Sequence, residues 1–285
     1  MIPARHVSRL VQSALDEDAP WGDLTSAVFV PADAELTAHL VSRTAGVFSG
    51  AAFFAAAFTI TDPDCAVEQR VPDGAGIAPG AVLATVTGPA RAVLTAERVG
   101  LNFAQRMSGI ATLTRRYVDA VAGTGVRITD TRKTTPGLRA VERAAVRDGG
   151  GANHRFSLSD AVMLKDNHLG VITAGGVSLT DGLRRAAAAL PHTTHIEVEV
   201  DRLDQIEPVL AAGVDTIMLD NFSLPDLRRG VELIAGRATV EASGGVTLDT
   251  VRAIAETGVD VISVGALTHS AAALDLGLDL APSPR

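Results

Sequence analysis

The stretch HIEVEVDRLDQIEPVLAAGVDTIMLDNFSLPDLRRGVELIAGRATVEAS spans residues 195–243 and decides the fold of the chain. Its short apolar segments at 195–200, 216–220 and 239–243 are predicted to be buried strands, and the residues between them repeat their apolar positions at helical spacing. Strands that alternate with helices pair in parallel. With a fourth segment at 260–265, these strands end about 20 to 23 residues apart. This spacing favours a (β/α) barrel over a doubly wound sheet.

Two further strand candidates precede this stretch, at residues 126–130 and 161–166. Helical patterns follow the six candidates or separate them, at residues 138–146, 179–190, 203–213, 224–236 and 248–258. From residue 126 onward we therefore predict an α/β fold, a (β/α) barrel with parallel strands.

The N-terminal part has the pattern of an α+β unit. An amphipathic helix is predicted over the first 16 or so residues, a strand pair over 34–47, a buried helix over AAFFAAAF (51–58) and strands over 66–71 and 81–87. A long helical pattern then begins after Pro89 and continues to Val121, and Gly109 could break it.

Composition excludes several classes of protein. The chain has 285 residues, a formal charge of −8 and 4% aromatic residues, whereas a nucleic-acid-binding protein usually has a basic face and stacking rings. The single cysteine, Cys65, cannot form an internal disulfide, and the N-terminus has no apolar stretch of signal-peptide type. The most apolar segment, residues 47–60, is shorter than the roughly 20 residues that span a bilayer. We expect a cytoplasmic protein that binds neither nucleic acid nor membranes.

Lysine is rare in a way that points to chemistry. Only Lys133 and Lys165 occur, and arginine supplies the other 23 of the 25 basic residues. A biased coding sequence explains the scarcity but not the positions, because both lysines follow predicted strands in polar segments. A compact ammonium is not interchangeable with a guanidinium, so we expect both positions to need lysine.

The residues at the six predicted strand exits are all polar or glycine, and barrel enzymes carry their chemistry at these ends. The exits are Thr131-Arg132-Lys133, Lys165-Asp166-Asn167-His168, Glu199, Asp220-Asn221, Ser243-Gly244-Gly245 and Gly265-Ala266. The late glycines predict a phosphate site, with a helix beginning near Leu248, or they serve only as tight turns.

The early exits predict a second anion site. Arg132 and Lys133 precede Pro136, which is well placed to open the next helix, and a polar loop then brings His154 and Arg155. Four such groups near one mouth of an acidic protein need a polyanionic partner, unless they form surface salt bridges.

The middle exits carry carboxylates. Glu199 and Asp220 could bind a metal ion, hydroxyl groups or a developing cation, or could pair structurally with arginine or lysine. Glu197 lies on the same face of its strand as Glu199, so spacing does not choose between the two.

The sequence closely resembles the quinolinate phosphoribosyltransferase family, part of the type II phosphoribosyltransferases. The matching motifs are GDLTS (22–26), ERVGLN (97–102), SGIAT (108–112), TRKTTPGLR (131–139), GGGANHR (149–155), LKDNH (164–168), EVEV (197–200), LDNF (219–222), EASGG (241–245) and ISVGALTH (262–269). The resemblance implies joining of quinolinate to 5-phosphoribosyl-1-pyrophosphate with Mg²⁺, which releases pyrophosphate and CO₂ and forms nicotinate mononucleotide. It also implies an N-terminal α/β sandwich domain (1–110), a barrel of fewer than eight strands (111–270) and a tail (271–285) that packs back on the first domain.

The resemblance also implies roles for individual residues. Arg132, His154 and Arg155 would hold the quinolinate carboxylates, with Lys165 near the same pocket. Lys133 would face the phosphoribosyl pyrophosphate, Glu199 and Asp220 the ribose or its Mg²⁺, and Ser243, Gly244, Gly245, Gly265 and Ala266 the phosphate. Arg98 would enter from the neighbouring subunit of a homodimer or larger homo-oligomer.

Other functions remain open at this point. The nearest is a relative that transfers phosphoribose to nicotinate without decarboxylation, or a molybdenum-associated paralogue, although a three-part cationic pocket favours a dicarboxylate. A Schiff-base aldolase that uses Lys133 or Lys165 is a second class. A regulator that binds phosphoribosyl compounds without catalysis is a third.

Overall fold

The computed structural model describes residues 2–281, and the chain divides there into two compact units. The first unit comprises residues 2–115, 134–150 and 267–281, and the second comprises residues 116–133 and 151–266. The expected domain borders after residues 110 and 270 stay predictions, and residues 282–285 of the expected tail lie outside the described part. Within residues 2–281, no helix is both long enough and apolar enough to cross a membrane.

The elements follow the predicted alternation closely. Up to the long helix they are α1 (Ala4–Asp18), α2 (Leu24–Phe29), β1 (Glu35–Ser42), β2 (Gly46–Val47), α3 (Ala51–Thr61), β3 (Ala66–Gln69), β4 (Gly76–Ile77), β5 (Val82–Pro89) and α4 (Ala90–Ala120). Beyond it they are β6 (Arg127–Thr129), α5 (Arg139–Asp148), β7 (Val162–Leu164), α6 (Asp166–Thr173), α7 (Leu179–Ala187), β8 (Ile196–Val200), a 3₁₀ turn (Leu203–Gln205), α8 (Ile206–Leu210), β9 (Thr216–Asp220), α9 (Leu224–Ile234), β10 (Thr239–Ser243), α10 (Val251–Ala255), β11 (Val261–Ser263), α11 (Ala266–His269) and β12 (Leu276–Leu280).

The first unit is built on an antiparallel sheet of four strands in the order β12-β1-β5-β3. The apolar helix α3 buries Phe53, Phe54 and Phe58, and α1 buries Val7, Val11 and Leu15 from one face. The buried positions of α1 recur every fourth residue, so this helix packs through a single stripe.

The predicted strand pair within residues 34–47 is wrong in its pairing. Both strands form, but β1 lies between β5 and β12, while β2 pairs with β4 in a separate small sheet. At this edge the Arg43 guanidinium pairs with Asp279 of β12, and the Arg43 backbone N–H donates to Asp275 O. The edge of β1 is therefore occupied by the C-terminal strand.

Helix α4 runs unbroken through Gly109. A Cβ at this glycine would lie 2.0 Å from Ala272 O, so the residue serves a close approach of the chain and not a helix break. Leu274 N donates to Gln105 O at 2.9 Å beside it, which fixes the C-terminal segment along α4.

The second unit contains six parallel strands in the order β6-β11-β10-β9-β8-β7. Among the described residues no ladder joins the edge strands β6 and β7, so the barrel is incomplete. Ala152 occupies this gap through a single parallel bridge to Thr129. The predicted fold class, an α/β sandwich followed by an incomplete parallel barrel, is confirmed.

Three predicted helix starts shift. Helix α5 begins at Arg139 after a turn at Pro136–Leu138, because Leu138 N donates to Thr135 O and Gly137 adopts a φ of 81°. Helix α10 begins at Val251 and not near Leu248, after a turn that Thr247 N closes on Thr250 Oγ1. Residues 203–213 contain a 3₁₀ turn before the short α8.

Candidate active site

A cavity of about 570 Å³ opens at the carboxyl ends of the six barrel strands. Ten of the residues selected from the sequence line it: Arg132, Lys133, His154, Arg155, Lys165, Glu199, Asp220, Ser243, Gly244 and Gly245. Parallel pairing explains the convergence, because it brings all carboxyl ends to one rim.

Lys165 and Glu199 form an ion pair across this rim. Leu164 of β7 lies opposite Val198 of β8, so the next residue of each strand meets its neighbour. The lysine side chain is 47% exposed and the glutamate 14%. The contact holds the Lys165 ammonium and the Glu199 carboxylate beside each other at the rim.

Asp220 is oriented by its neighbour Asn221. The Asn221 side-chain amide donates to Asp220 Oδ2 at 2.7 Å, and its backbone N–H donates to Ser243 O at 2.9 Å. Asn221 adopts a φ of 56°, a left-handed conformation that asparagine tolerates better than most residues. A Cβ on Gly244 would lie 2.1 Å from Asn221 Oδ1, so Gly244 is required for packing as well as for its turn.

Two arginines, Arg132 and Arg155, line the same cavity. Burial, together with the charge of Arg132, lowers the pKa of the Arg155 guanidinium. Arg155 Nη1 donates to Ala161 O at 3.0 Å, which anchors one end of its side chain. Cations that act on each other in this way favour an anion between them.

His154 lies deeper, against two glutamates of the barrel interior. Its Nε2 lies 3.0 Å from Glu197 Oε2 and 3.6 Å from Glu241 Oε2. Both carboxylates are about 5% exposed. The structure thus separates two residues that spacing could not: Glu199 lines the cavity at the carboxyl ends, and Glu197 pairs with the histidine below it.

The three groups shift one another's protonation. Burial alone lowers the pKa of His154, but hydrogen bonds to Glu197 and Glu241 outweigh it and raise that pKa. Burial raises the pKa of Glu197, the hydrogen bond from His154 acts against this rise, and the charge of Glu241 adds to it. The cluster therefore favours a proton on Nε2, the ring nitrogen that faces the carboxylates.

Asp130 fixes the backbone of the same segment. Its Oδ1 accepts the His154 N–H at 2.8 Å, and its Oδ2 accepts the Asn153 side-chain amide at 2.5 Å. Asp130 is fully buried at the end of β6. Sequence reasoning missed Asp130 and Glu241, although Glu241 precedes Ser243 by two residues and so shares its face of β10.

Three predicted residues lie elsewhere. Gly265 and Ala266 follow β11 but do not line the cavity. Arg98 lies in the first unit, exposed on α4, and no hydrogen bond or ion pair of its side chain occurs among residues 2–281. Its predicted role in a neighbouring subunit stays a prediction.

Comparison with known proteins covers nearly the whole chain. Residues 23–108 match the model of the quinolinate phosphoribosyl transferase N-terminal domain, and residues 110–279 match that of its C-terminal domain. The nicotinate-nucleotide pyrophosphorylase (carboxylating) of Mycobacterium leprae is 44% identical, with 95% of each chain covered. The probable enzyme of the same name from Bacillus subtilis is 42% identical, over 96% of this chain and 93% of the relative.

A solved structure agrees with these relatives. The nicotinate-nucleotide pyrophosphorylase from Francisella tularensis superposes with a TM-score of 0.92 at 36% identity, over 99% of this chain and 98% of the other. The chain belongs to the quinolinate phosphoribosyltransferase family.

Proposed function

We propose that this protein is a transferase that joins quinolinate to 5-phosphoribosyl-1-pyrophosphate in NAD biosynthesis. The products are nicotinate mononucleotide, pyrophosphate and CO₂. One observation carries the proposal: a single cavity is lined both by the cations Arg132 and Arg155 and by the carboxylates Glu199 and Asp220. The first pair suits a dianionic ring, and the second suits a ribose that becomes positively charged. Membership of the family supports the same reaction.

Quinolinate would bind on the arginine side. Each guanidinium can hold a carboxylate through two parallel hydrogen bonds, and a charge-assisted bond contributes about 1.5 to 3 kcal/mol. Binding would also relieve the repulsion that acts on Arg155. We assign His154 and Lys165 to the quinolinate pocket, with Lys165 at its border because it pairs with Glu199.

The phosphoribosyl donor would bind on the opposite side. Lys133 would face its pyrophosphate, and Ser243, Gly244 and Gly245, with Gly265 and Ala266 behind them, would surround its 5-phosphate. Glu199 and Asp220 end neighbouring strands and offer carboxylate oxygens, the donors that Mg²⁺ prefers together with substrate phosphates. The residues therefore fit this ion, which would stabilise the leaving pyrophosphate when bound.

The chain's own groups would act on charge. As the bond to pyrophosphate breaks, positive charge develops on the ribose ring, and a carboxylate such as Asp220 or Glu199 stabilises it in place. The pyridine nitrogen then carries the ribose and is cationic. The bond from C2 to its carboxylate breaks, CO₂ leaves, the electron pair stays at C2, and C2 takes a proton from solvent. The cationic ring accepts the electrons, so the protein need not supply an electron sink.

We also propose that the active protein is a homodimer or a larger homo-oligomer in which Arg98 reaches a neighbour's cavity. The exposed position of Arg98 supports this assignment. So does an apolar patch around α2, where Trp21, Leu24 and Phe29 are 79% exposed or more. The buried free thiol of Cys65 suits a reducing compartment, and we propose the cytoplasm.

The experiment supplies quinolinate, 5-phosphoribosyl-1-pyrophosphate and Mg²⁺ to the purified protein and follows nicotinate mononucleotide. Quinolinate labelled in its 2-carboxylate should release labelled CO₂ in equal amount. Formation of a nucleotide that retains the label would point instead to a non-decarboxylating transferase. Absence of any nucleotide would refute the proposed reaction.

A further inference from the structure

We propose that Glu197 and Glu241 are positioning residues that hold His154, and through it Arg155, in the arrangement that quinolinate requires. The proposal rests on the proposed function, because it concerns how one substrate is held. The proposal gives neither glutamate a direct contact with substrate. Their role is carried by a chain of hydrogen bonds that begins inside the barrel and ends at the backbone of Arg155.

Glu197 and Glu241 lie below the cavity at the carboxyl ends of the strands. Each stands two residues before a cavity-lining residue of its own strand, Glu199 and Ser243, and so about 6.5 Å deeper along that strand. They line instead a second cavity of about 370 Å³, whose wall includes Thr216 and Thr239 at the starts of strands β9 and β10. His154 and Arg155 line both cavities and so form the partition between them.

The hydrogen-bond partners of the His154 ring decide which of its nitrogens carries the hydrogen. The Arg155 N–H donates to His154 Nδ1 at 2.7 Å, so this nitrogen acts as an acceptor. The raised pKa of His154 favours a second ring proton, but the Arg155 N–H occupies the position that this proton would need on Nδ1. The geometry therefore places the ring hydrogen on Nε2, which faces Glu197 Oε2 and Glu241 Oε2. Carboxylate, imidazole and backbone amide form one relay. Weakening the acceptors at its inner end would release the ring and remove the acceptor of the Arg155 amide.

Different residues hold the backbone and the side chain of His154. Asp130 holds the backbone of residues 153–154, and Ala152 bridges to Thr129 in the gap of the barrel. Glu197 and Glu241 contact the ring of His154, and the charge of Glu197 also acts on Arg155. Removing a glutamate should therefore leave the segment folded and change how it presents Arg155.

The buried carboxylate oxygens of the two glutamates also affect the stability of the fold. Glu197 Oε1 and Glu241 Oε1 are buried and accept no hydrogen bond within the described part of the chain. Burial of such atoms costs stability, so this arrangement is not one that stability alone favours. A loss of function without a loss of stability is the signature that separates positioning from a purely structural role.

A metal ion is the main alternative occupant of the cluster. By residue type, His154, Glu197 and Glu241 could bind one, since their ligand atoms lie within 4.8 Å of one another. A histidine that binds metal donates its other ring N–H to an acceptor. Here Nδ1 instead receives an N–H, which leaves the hydrogen on the nitrogen that would have to bind the metal.

The test compares Glu241→Gln and Glu197→Gln with a matched buried carboxylate, Glu142→Gln. Glu142 lies in the first unit, is fully buried and accepts from Arg106 and Thr135. We expect each barrel variant to raise the KM for quinolinate about tenfold or more and to leave the KM for the phosphoribosyl donor within about threefold. The thermal midpoint of Glu241→Gln should equal or exceed that of the wild type. Glu142→Gln should show the reverse, with a lower midpoint and an unchanged KM for quinolinate.

Equal effects on both substrates, or an unchanged KM for quinolinate, would overturn the proposal. Nitrogen NMR of the His154 ring supplies a readout that needs no turnover: Nε2–H in the wild type, and a mixture of tautomers or orientations in both barrel variants. An unchanged ring would also overturn it. Failure of the wild type to use quinolinate refutes the proposed function. The NMR measurement still decides whether Glu197 and Glu241 hold the ring of His154. Binding of Zn²⁺ alone that Glu241→Gln abolishes, measured by calorimetry, would replace the relay with a metal site.

Discussion

Glu142 in the first unit and Glu241 in the barrel are both buried glutamates, yet their surroundings differ. Glu142 accepts hydrogen bonds from Arg106 Nε and Nη2, and from the backbone and hydroxyl of Thr135. Glu241 has one oxygen 3.6 Å from His154 and another that is buried and accepts no hydrogen bond from residues 2–281. Buried carboxylates that are fully satisfied support a fold, whereas those left short of partners cost stability and point to function.

The same contrast extends to the two units. In the first unit, Arg106 of α4 and Glu142 of α5 neutralise each other. In the barrel, Arg132 and Arg155 share a cavity in which each charge disfavours the other. These two cations are suited to an anionic substrate, and kinetics can test that match.

The largest expected effect is discrimination between quinolinate and nicotinate. Nicotinate lacks the 2-carboxylate and would leave part of the cationic side of the cavity unmatched. Loss of two charge-assisted hydrogen bonds at about 2 kcal/mol each corresponds to about a thousandfold lower kcat/KM. Steady-state kinetics with both substrates measure the ratio. Comparable efficiencies would show that Arg132 and Arg155 are not matched to a dicarboxylate.

The second prediction concerns Arg98, which is exposed on α4 in the first unit. Arg98→Ala and Lys165→Ala should each be inactive alone. After dissociation and random reassociation, about half of the dimers are mixed, and half of their sites combine an intact Lys165 with an intact Arg98 of the neighbour. Activity should recover to roughly a quarter of the wild type, as the symmetry of a two-fold assembly requires.

A matched pair controls this experiment. Lys165→Ala and Glu199→Ala both damage the same chain's cavity, so no mixed dimer contains an intact site and no activity should return. Exchange is followed independently with two distinguishable tags. If subunits exchange and the Arg98 pair regains nothing, the shared site is ruled out.

The third prediction exchanges cations of different shape. Lys133→Arg keeps the charge but replaces a point donor by a wide fork, and turnover should fall about tenfold or more while the fold is retained. Arg237→Lys is the control, since Arg237 pairs with Glu207 on the surface, where such exchanges have little effect. Near-normal turnover of Lys133→Arg would show that the reaction does not require a lysine at position 133.

Periodicity and strand exits predicted most of this architecture. All six barrel strands were located from apolar segments, and ten of the candidate site residues converge as expected because parallel strands share a rim. The short α2, α6 and α11 were missed, since four to eight residues carry too little periodicity. The strand pair at 34–47 failed because the partner of β1 lies more than 230 residues away, at Leu276–Leu280.

The interior cluster was beyond sequence reasoning for a geometric reason. In the ladders, Glu197 pairs with Thr216 and Glu241 with Met218 of the intervening strand β9, so the two glutamates are two residues out of step. Strand tilt in a barrel brings such offset positions to one height. Spacing along a single strand carries no information about that tilt, and so it could not choose between Glu197 and Glu199.

The smallest expected effect belongs to Asp160, a satisfied carboxylate on the surface between Arg155 and β7. Burial acts to raise its pKa, but N–H groups of Phe156 and Ser157, each 2.6 Å away, outweigh this and lower the pKa to about 2. A carboxylate whose folded pKa lies below its unfolded value of about 3.9 adds stability that is complete above that value. This contribution is lost as the pH falls toward 2.

Asp160→Asn should therefore reduce the free energy of unfolding by a constant small amount above about pH 5, and the difference should shrink between pH 4 and pH 2. Urea unfolding at several pH values measures it, with Glu232→Gln as a control carboxylate that pairs only with Arg229 on the surface. A difference that persists undiminished at pH 2 would show that Asp160 acts through its shape and not through its charge, and the contrast between satisfied and unsatisfied carboxylates would then not extend to the surface.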